Sequence, residues 1–193
     1  MHGASPEGVV NLCLDARTIV HNNLTSPLKE TRRMPSNVAL TGLAKDLKAR
    51  ADAGRPVRIG LIGCGEMGTD IVTRAAMMDG VDVAAIADLR PEAAHKAVEI
   101  AHQEPGHAAE ASSADSLNAT IEAGKTAVAN DVSAILESGL IDVVVDATGV
   151  PAVGAEIGLA GMEAGKHLVM MNVEADVTIG AYLKAEAERL DVV

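Results

Sequence analysis

A glycine-rich run at residues 60 to 72, GLIGCGEMGTDIV, is the first feature of this sequence whose residue types suggest chemistry. Gly63, Gly65 and Gly68 fit the pattern G-x-G-x-x-G directly after an apolar segment. Such glycines allow a tight turn, let the backbone approach a pyrophosphate, and let the next helix pack closely on the strand. The amides at the start of that helix, with the positive end of its dipole, would face two linked phosphates. The predicted phosphate-binding residues are Gly63, Gly65, Glu66, Met67 and Gly68. The alternative is that these glycines serve only tight packing of strand and helix.

A carboxylate and a guanidinium follow the next apolar segment, residues 81 to 87. Asp88 is placed to accept hydrogen bonds from the adenosine ribose hydroxyls, and its charge would repel a 2′-phosphate. Arg90 could pair with that phosphate or stack on adenine. The pair therefore indicates NAD or NADP as the cofactor, with Asp88 favouring NAD. Both residues could instead be a solvated loop pair.

Two further segments end apolar runs where a nicotinamide would lie, because ligands of open α/β sheets bind beyond the carboxyl ends of the strands. In DATGVP, residues 146 to 151, the small residues Thr148 and Gly149 leave room for the nicotinamide ribose. In MNVEAD, residues 171 to 176, Asn172 and Glu174 are the candidate catalytic residues. The acidic side chains of both segments could instead cap a turn or the following helix.

Alternating periods along the chain predict the elements that position these residues. The runs IDVVVDA and HLVMMNV are apolar throughout, as in strands covered on both faces. Repeated strand and helix units of this kind predict a doubly wound parallel sheet, a Rossmann NAD(P)-binding domain. Strands are predicted at 57–62, 81–87, 125–129, 140–146 and 167–172. Helices are predicted at 36–53, 66–79, 91–103, 131–138, 151–164 and 175–190. A loop is predicted at 103–115, and a short helix follows it and ends at 123. The chain stops at DVV, so the sheet is expected to end before or at its sixth strand.

Composition limits the classes of function. The net charge is −11, there is no Phe or Trp, and Tyr182 is the single Tyr, so nucleic acid is not an expected partner. Cys13 and Cys64 have no metal-ligand spacing, and the histidines form no ligand set, so no metal is expected. Cys64 is interpreted as a small filler in the loop. No apolar run reaches the roughly 18 residues of a membrane span, and the expected location is the cytoplasm.

The sequence resembles the homoserine-dehydrogenase-like NAD(P)-dependent oxidoreductases with a SAF-type domain, in the branch similar to 1-deoxy-D-xylulose-5-phosphate reductoisomerase. The matching stretches are LKARADAGRPVRIGLIGCGEMGTDIV, IEAGKTAV, LIDVVVDATGVPAVGAEIG and GKHLVMMNVEADVTIGAYLKAEAE, most of residues 38 to 190. The resemblance implies hydride transfer to or from a small polar substrate, phosphorylated substrates included, with Asn172 and Glu174 at the substrate end. Reductoisomerase relatives favour NADPH, whereas Asp88 favours NAD. They also carry Asn-Lys-Glu where this chain has Val173 between Asn172 and Glu174, so no lysine role is carried over.

The resemblance also implies a division of the chain. Family members start near Met34, so residues 1–33 are expected to be a disordered extension, 34–193 the NAD(P)-binding domain, and the catalytic domain absent. The sequence leaves open whether this chain turns over substrate, since hydride transfer needs a second domain. The alternative is a stand-alone NAD(H) sensor or a dimerisation module that forms a homo-oligomer through the exposed sheet edge. Transfer from S-adenosylmethionine is a third class, disfavoured because that cofactor has no diphosphate.

Overall fold

The computed structural model describes residues 41–193, so the expected extension at residues 1–33 lies outside the described part. Six parallel strands form one sheet: β1 (Val57–Ile62), β2 (Val81–Ala87), β3 (Ala108–Ala111), β4 (Thr126–Ala129), β5 (Val143–Asp146) and β6 (His167–Met170). The helices are α1 (Leu43–Asp52), α2 (Glu66–Ala75), α3 (Pro91–His102), α4 (Ala114–Glu122), α5 (Val132–Glu137), α6 (Pro151–Glu163) and α7 (Val173–Arg189). The spatial order of the strands is β3-β4-β2-β1-β5-β6. The predicted doubly wound α/β fold is confirmed.

Two apolar layers hold the helices on the sheet. One layer contains Leu61, Val72, Ile86 and Val98, which join β1 and β2 to α2 and α3. The other layer is built around Leu117, Ile135 and Ile157, from α4, α5 and α6. The chain extends the sheet from β1 toward β2 first and returns later to place β5 on the opposite side of β1. This reversal opens a crevice at the carboxyl ends of β1 and β5, where ligands of such sheets bind.

Helix α6 approaches the sheet closely because glycines line the face that it turns inward. A Cβ at Gly158 would lie 3.0 Å from the Leu168 Cδ2 atom, and one at Gly161 would lie 3.7 Å from Val144 Cγ2. A Cβ at Gly154 would overlap the Asp146 carboxylate. A glycine inside a helix costs about 1 kcal/mol relative to alanine. Close packing on the sheet, and not helix propensity, therefore explains the three glycines on this face of α6.

Several boundaries differ from the sequence prediction. Helix α2 ends at Ala75 and not at 79, β5 begins at Val143 and not at 140, and β6 ends at Met170 and not at 172. Three further differences have a physical reason. The predicted loop at 103–115 is wrong in part, because Ala108–Ala111 forms β3 and pairs with β4; its AAEA sequence has none of the β-branched residues that mark strands. Helix α1 begins at Leu43, after Gly42 at φ 56°, and not at 36; residues 36–40 lie outside the described part. Helix α7 begins at Val173, two residues early, because Asn172 caps it.

The sequence predicts five strands, and β3 is the additional strand that brings the sheet to six. No strand follows α7 within the described residues. The Leu168 amide nevertheless donates to the Val193 carbonyl at 2.7 Å, along the outer edge of β6. Within residues 41–193, no helix combines the length and apolar character that crossing a membrane requires.

A pair of stacked histidines leads from α3 into β3. The rings of His102 and His107 lie 3.8 Å apart between centroids, with 24° between their planes. Burial lowers the pKa of His102 from its ordinary value, and His107 lowers it further, while Asp82 and Glu104 oppose the shift. Burial, with a smaller contribution from the neighbouring His107, therefore favours an uncharged imidazole at His102.

Acidification should weaken the fold through this stack. Because the pKa of His102 is lower in the folded chain than its ordinary 6.5, the unfolded chain binds the proton more tightly. The stabilising contribution is complete above pH 6.5 and is lost as the pH falls through the folded-state pKa. Urea unfolding between about pH 7.5 and about pH 5.5 should show a smaller loss of stability for His102→Gln than for wild type. His95→Gln, on the same helix, is the control; equal losses in all three proteins would refute the assignment.

Candidate dinucleotide site

The turn after β1 brings the first glycine of the motif against the loop that follows β5. Gly63 has φ 92°, and a Cβ there would lie 2.7 Å from the Ala147 carbonyl and 2.8 Å from the Thr148 amide nitrogen. The Gly63 amide also donates to the Ala87 carbonyl at 2.8 Å. Only glycine fits this backbone position without displacing its neighbours. The turn thereby places the glycine motif at the crevice between β1 and β5.

The other two glycines of the motif have opposite surroundings. A Cβ at Gly68 would overlap the Gly63 carbonyl oxygen, so this residue is needed for the close contact of α2 with the turn. A Cβ at Gly65 would meet no atom within 4 Å, so this residue faces open space. Gly65 caps α2 without a side-chain hydrogen bond. The first amides of α2 are therefore free of a side-chain cap, which is the arrangement that binds anions at a helix N-terminus.

The Asp88 carboxylate ties the glycine turn to the loop after β2. One oxygen accepts the Cys64 amide hydrogen at 2.6 Å, and the other accepts that of Arg90 at 2.8 Å. Each carboxylate oxygen has two lone pairs, so both retain capacity to accept a ribose hydroxyl. The side chain is half-buried, whereas Arg90 is exposed. Asp88 thus has a structural role in addition to the predicted ribose contact.

A cavity of about 360 Å³ lies beside this turn, between α2 and α3. Its lining includes Gly65 and Glu66 from the turn and start of α2, Asp70 one turn later, and Arg90 and Lys96 across from them. Two acidic and two basic side chains therefore face one space. Arg90 and the glycine motif therefore border the same cavity, and the cofactor contact of Arg90 stays a prediction. Lys96 also lines the cavity; sequence reasoning did not consider it because it lies in the middle of α3.

Cys64 fills the space beneath the turn. Its side chain is 2 % exposed, and Sγ lies 3.8 Å from the Ala93 carbonyl oxygen. Burial raises the pKa of the thiol; Asp88 acts in the same direction and a hydrogen bond with Thr69 opposes it. A buried neutral thiol is a poor nucleophile, which agrees with its interpretation as a filler.

On the β5 side of the crevice, Thr148 is fixed by a buried carboxylate. Its amide and hydroxyl both donate to one oxygen of Asp146, at 3.0 and 2.7 Å. Asp146 is fully buried, and Thr148 is half-buried. Gly149, which has φ 67°, is exposed. The loop therefore presents small residues toward the crevice on a rigid support.

The two candidate catalytic residues differ in accessibility. Asn172 is 1 % exposed, and its side-chain oxygen accepts the Ala175 amide hydrogen at 3.3 Å as the N-cap of α7. Glu174 lies in the first turn of α7 and is exposed, as is Asp176. The structure thus brings Asn172 and Glu174 to the same helix terminus but turns only Glu174 outward. No three His, Cys, Asp or Glu side chains among residues 41–193 gather in a way that could ligate a metal.

A parallel sheet with a glycine turn at its topological switch point, an open helix N-terminus and a carboxylate after the second strand defines a dinucleotide-binding domain of the Rossmann class. A family profile described as the NAD-binding domain of homoserine dehydrogenase matches residues 63–192. The chain belongs to this family, and nicotinamide dinucleotides are the ligand class of the domain. No curated protein matches the chain.

Solved structures share this fold. A Klebsiella pneumoniae protein is 21% identical with a TM-score of 0.52, over 71% of this chain and 32% of its own. A Thermotoga maritima protein is 21% identical with a TM-score of 0.51, over 70% and 34%. The Bacillus subtilis protein yvaA is 20% identical with a TM-score of 0.50, over 72% and 33%. All are named provisionally, the second as a dehydrogenase and the others as oxidoreductases. This chain spans about a third of their length.

Alanine substitutions should separate the two roles of the glycine motif. Gly65→Ala adds a methyl group to open space, so the free energy of unfolding should stay within about 1 kcal/mol of wild type. The same methyl group would stand where a pyrophosphate approaches, so NADH affinity should fall about tenfold or more. Gly68→Ala should instead destabilise the fold by about 1–3 kcal/mol through its overlap with Gly63.

Urea unfolding and calorimetric titration with NADH measure these effects. Gly139→Ala, where a Cβ would also meet no atom within 4 Å but which lies far from the motif in sequence, is the matched control. NADH binding by Gly65→Ala as tight as that of the control would contradict the placement of the phosphates.

Proposed function

We propose that this chain is the cofactor-binding part of an NAD(P)-dependent oxidoreductase that transfers a hydride to or from a small polar substrate. The observation that supports this most directly is the uncapped N-terminus of α2 behind Gly65, in a chain of the homoserine dehydrogenase NAD-binding family. A diphosphate at residues 63–68 would receive hydrogen bonds from amides that lack a side-chain cap. The adenosine would then extend toward Asp88 and the nicotinamide toward Thr148.

The adenosine end favours NAD in this proposal. Asp88 would accept the ribose hydroxyls with lone pairs left over from the Cys64 and Arg90 amides. A 2′-phosphate beside that carboxylate would be repelled, whereas Arg90 and Lys96 in the adjoining cavity would attract it. The fixed position of the carboxylate, held by two backbone amides, makes the repulsion the larger effect.

The nicotinamide end would be formed by Thr148, Gly149 and Glu174. Glu174 is the side chain available to touch a substrate, because it is exposed at the start of α7. Asn172 would act from beneath by holding that turn of helix through its N-cap. A reductoisomerase-like reaction and a partnering SAF-type domain remain part of the proposal, on the strength of the sequence resemblance. The substrate would be polar, phosphorylated substrates included.

Hydride transfer requires a substrate carbon held against the nicotinamide, and the part of this chain that matches the relatives of known structure covers only about a third of their length. We therefore propose that residues 34–193 bind cofactor and that a further domain supplies the substrate site. The second candidate function, a cofactor sensor or a dimerisation module, is favoured by the open outer face of β6, where Val169 is 44% exposed. A dimer of that kind would bind NAD(H) without turnover.

Calorimetric titration with NADH, NADPH and S-adenosylmethionine tests the proposal. NADH should bind most tightly and S-adenosylmethionine should give no signal, because the site is built for a diphosphate. Asp88→Ala should weaken NADH by about tenfold and NADPH by less, because it removes a ribose acceptor from both but relieves repulsion only for NADPH.

Asp115→Ala is the control, since Asp115 is an exposed carboxylate on α4 and does not line this cavity. Equal losses of NADH and NADPH affinity in Asp88→Ala would remove the assigned selectivity. Absence of binding for both nicotinamide cofactors to the wild-type chain would refute the function itself.

A further inference from the structure

Two buried polar atoms at the carboxyl ends of β5 and β6 have no hydrogen-bond partner. They are the second carboxylate oxygen of Asp146, Oδ2, and the amide nitrogen of Asn172, Nδ2. Asp146 is 0 % exposed and Asn172 is 1 % exposed. Leaving a buried polar atom unpaired is destabilising, and more so when the group is charged. Asp146 Oδ2 lacks a hydrogen-bond donor and Asn172 Nδ2 lacks an acceptor, so each group could serve as the partner of the other.

The same glycine of α6 contacts both atoms. A Cβ added at Gly154 would overlap Asp146 Oδ2 and would lie 2.9 Å from Asn172 Nδ2, so the two atoms border one small space. The strands that carry them are paired in register, Asp146 with Met170, and the Asp146 carbonyl accepts the Met171 amide hydrogen at 2.9 Å. The absence of a Cβ at Gly154 leaves this space between the two polar atoms, and no hydrogen bond joins them across it.

The other atoms of both side chains are already committed. Asp146 Oδ1 accepts the amide and hydroxyl hydrogens of Thr148, and Asn172 Oδ1 accepts the Ala175 amide hydrogen. These bonds fix which atom of Asn172 is the oxygen, so its NH₂ group is the one turned toward Asp146. No lysine or arginine of residues 41–193 forms an ion pair with Asp146. The Asn172 amide is therefore the donor suited to the free carboxylate oxygen.

We propose that Asp146 and Asn172 act as a coupled donor and acceptor across this buried space, although no direct hydrogen bond joins them in the structure, and that this coupling positions the nicotinamide end of the site. The pair links Thr148, on the loop after β5, to the first turn of α7, which carries Glu174. Both are positioning residues, because neither is exposed: Asp146 acts through the half-buried Thr148, and Asn172 acts through the helix turn that carries the exposed Glu174. This inference rests on the proposed function, because it takes the crevice beside Thr148 as the nicotinamide site.

Exchanging the two groups tests the pair. Asp146→Asn sets two amide donors against each other, and Asn172→Asp sets two carboxylates against each other while keeping the cap oxygen. The double variant D146N/N172D restores one donor and one acceptor with the polarity reversed. Asn172→Ser is a milder variant, because it keeps a cap oxygen and removes only the NH₂ group.

Calorimetric titration with NADH and with ADP-ribose, which lacks the nicotinamide, separates positioning from simple stability. Each single exchange should weaken NADH binding about tenfold and ADP-ribose binding less than about twofold, and the double variant should recover NADH binding to within about threefold of wild type. Asn172→Ser should show the same selective loss.

Three outcomes would overturn the pair: equal losses for both ligands, unchanged NADH binding in the single variants, or additive losses in the double variant. If a single variant is too unstable to titrate, recovery of the thermal midpoint in the double variant supports the pair, and failure to recover refutes it. A wild-type chain that binds neither NADH nor ADP-ribose would refute the proposed function. The thermal midpoints of the four proteins would still test whether Asp146 and Asn172 are coupled, so the two failures are distinguishable.

Discussion

The close approach of backbone to backbone at Gly63 is the constraint on which the site depends. At this one residue the turn after β1 contacts the peptide between Ala147 and Thr148, and its carbonyl contacts Gly68 at the start of α2. A side chain at either glycine would force these elements apart. The adenosine side, at Asp88, is joined to the same turn through the Cys64 amide. The glycine turn is therefore held in fixed relation to the loop after β5 by a backbone contact and to the loop after β2 by the Asp88 carboxylate, and the proposed site would extend along both.

Charge explains why the site uses backbone amides. The chain carries a net charge of −11, and a dinucleotide is itself an anion. The net negative charge does not attract an anionic ligand from a distance. Binding would instead depend on hydrogen-bond donors at a helix terminus. These act well within the Debye length of about 10 Å, so salt does not screen them strongly. Arg90 and Lys96 supply a local positive contribution that Glu66 and Asp70 offset in the same cavity. In the proposed function, discrimination between cofactors at this end would therefore fall to Asp88.

Much of this arrangement could be predicted from the sequence. The glycine spacing, the apolar strands and Asp88 each reflect a local rule, and the doubly wound sheet followed from them. Strand β3 was missed because alanines carry no strand signal, and its place was decided by pairing with β4. The burial of Asn172 was missed for a different reason: a cap residue and a substrate-binding residue have the same sequence signature, and only packing distinguishes them. Gly154 is a signal that sequence reasoning passed over, since a glycine inside a helix indicates a close contact, here with Asp146.

Amide resonances of the unmodified chain, followed by ¹⁵N NMR during titration with NADH, test most directly whether the start of α2 holds the diphosphate. The account predicts that the amides of Gly65, Glu66, Met67 and Gly68 show the largest shifts, with smaller changes at Asp88 and Thr148. Shifts confined to other surfaces, or none at saturating NADH, would contradict it.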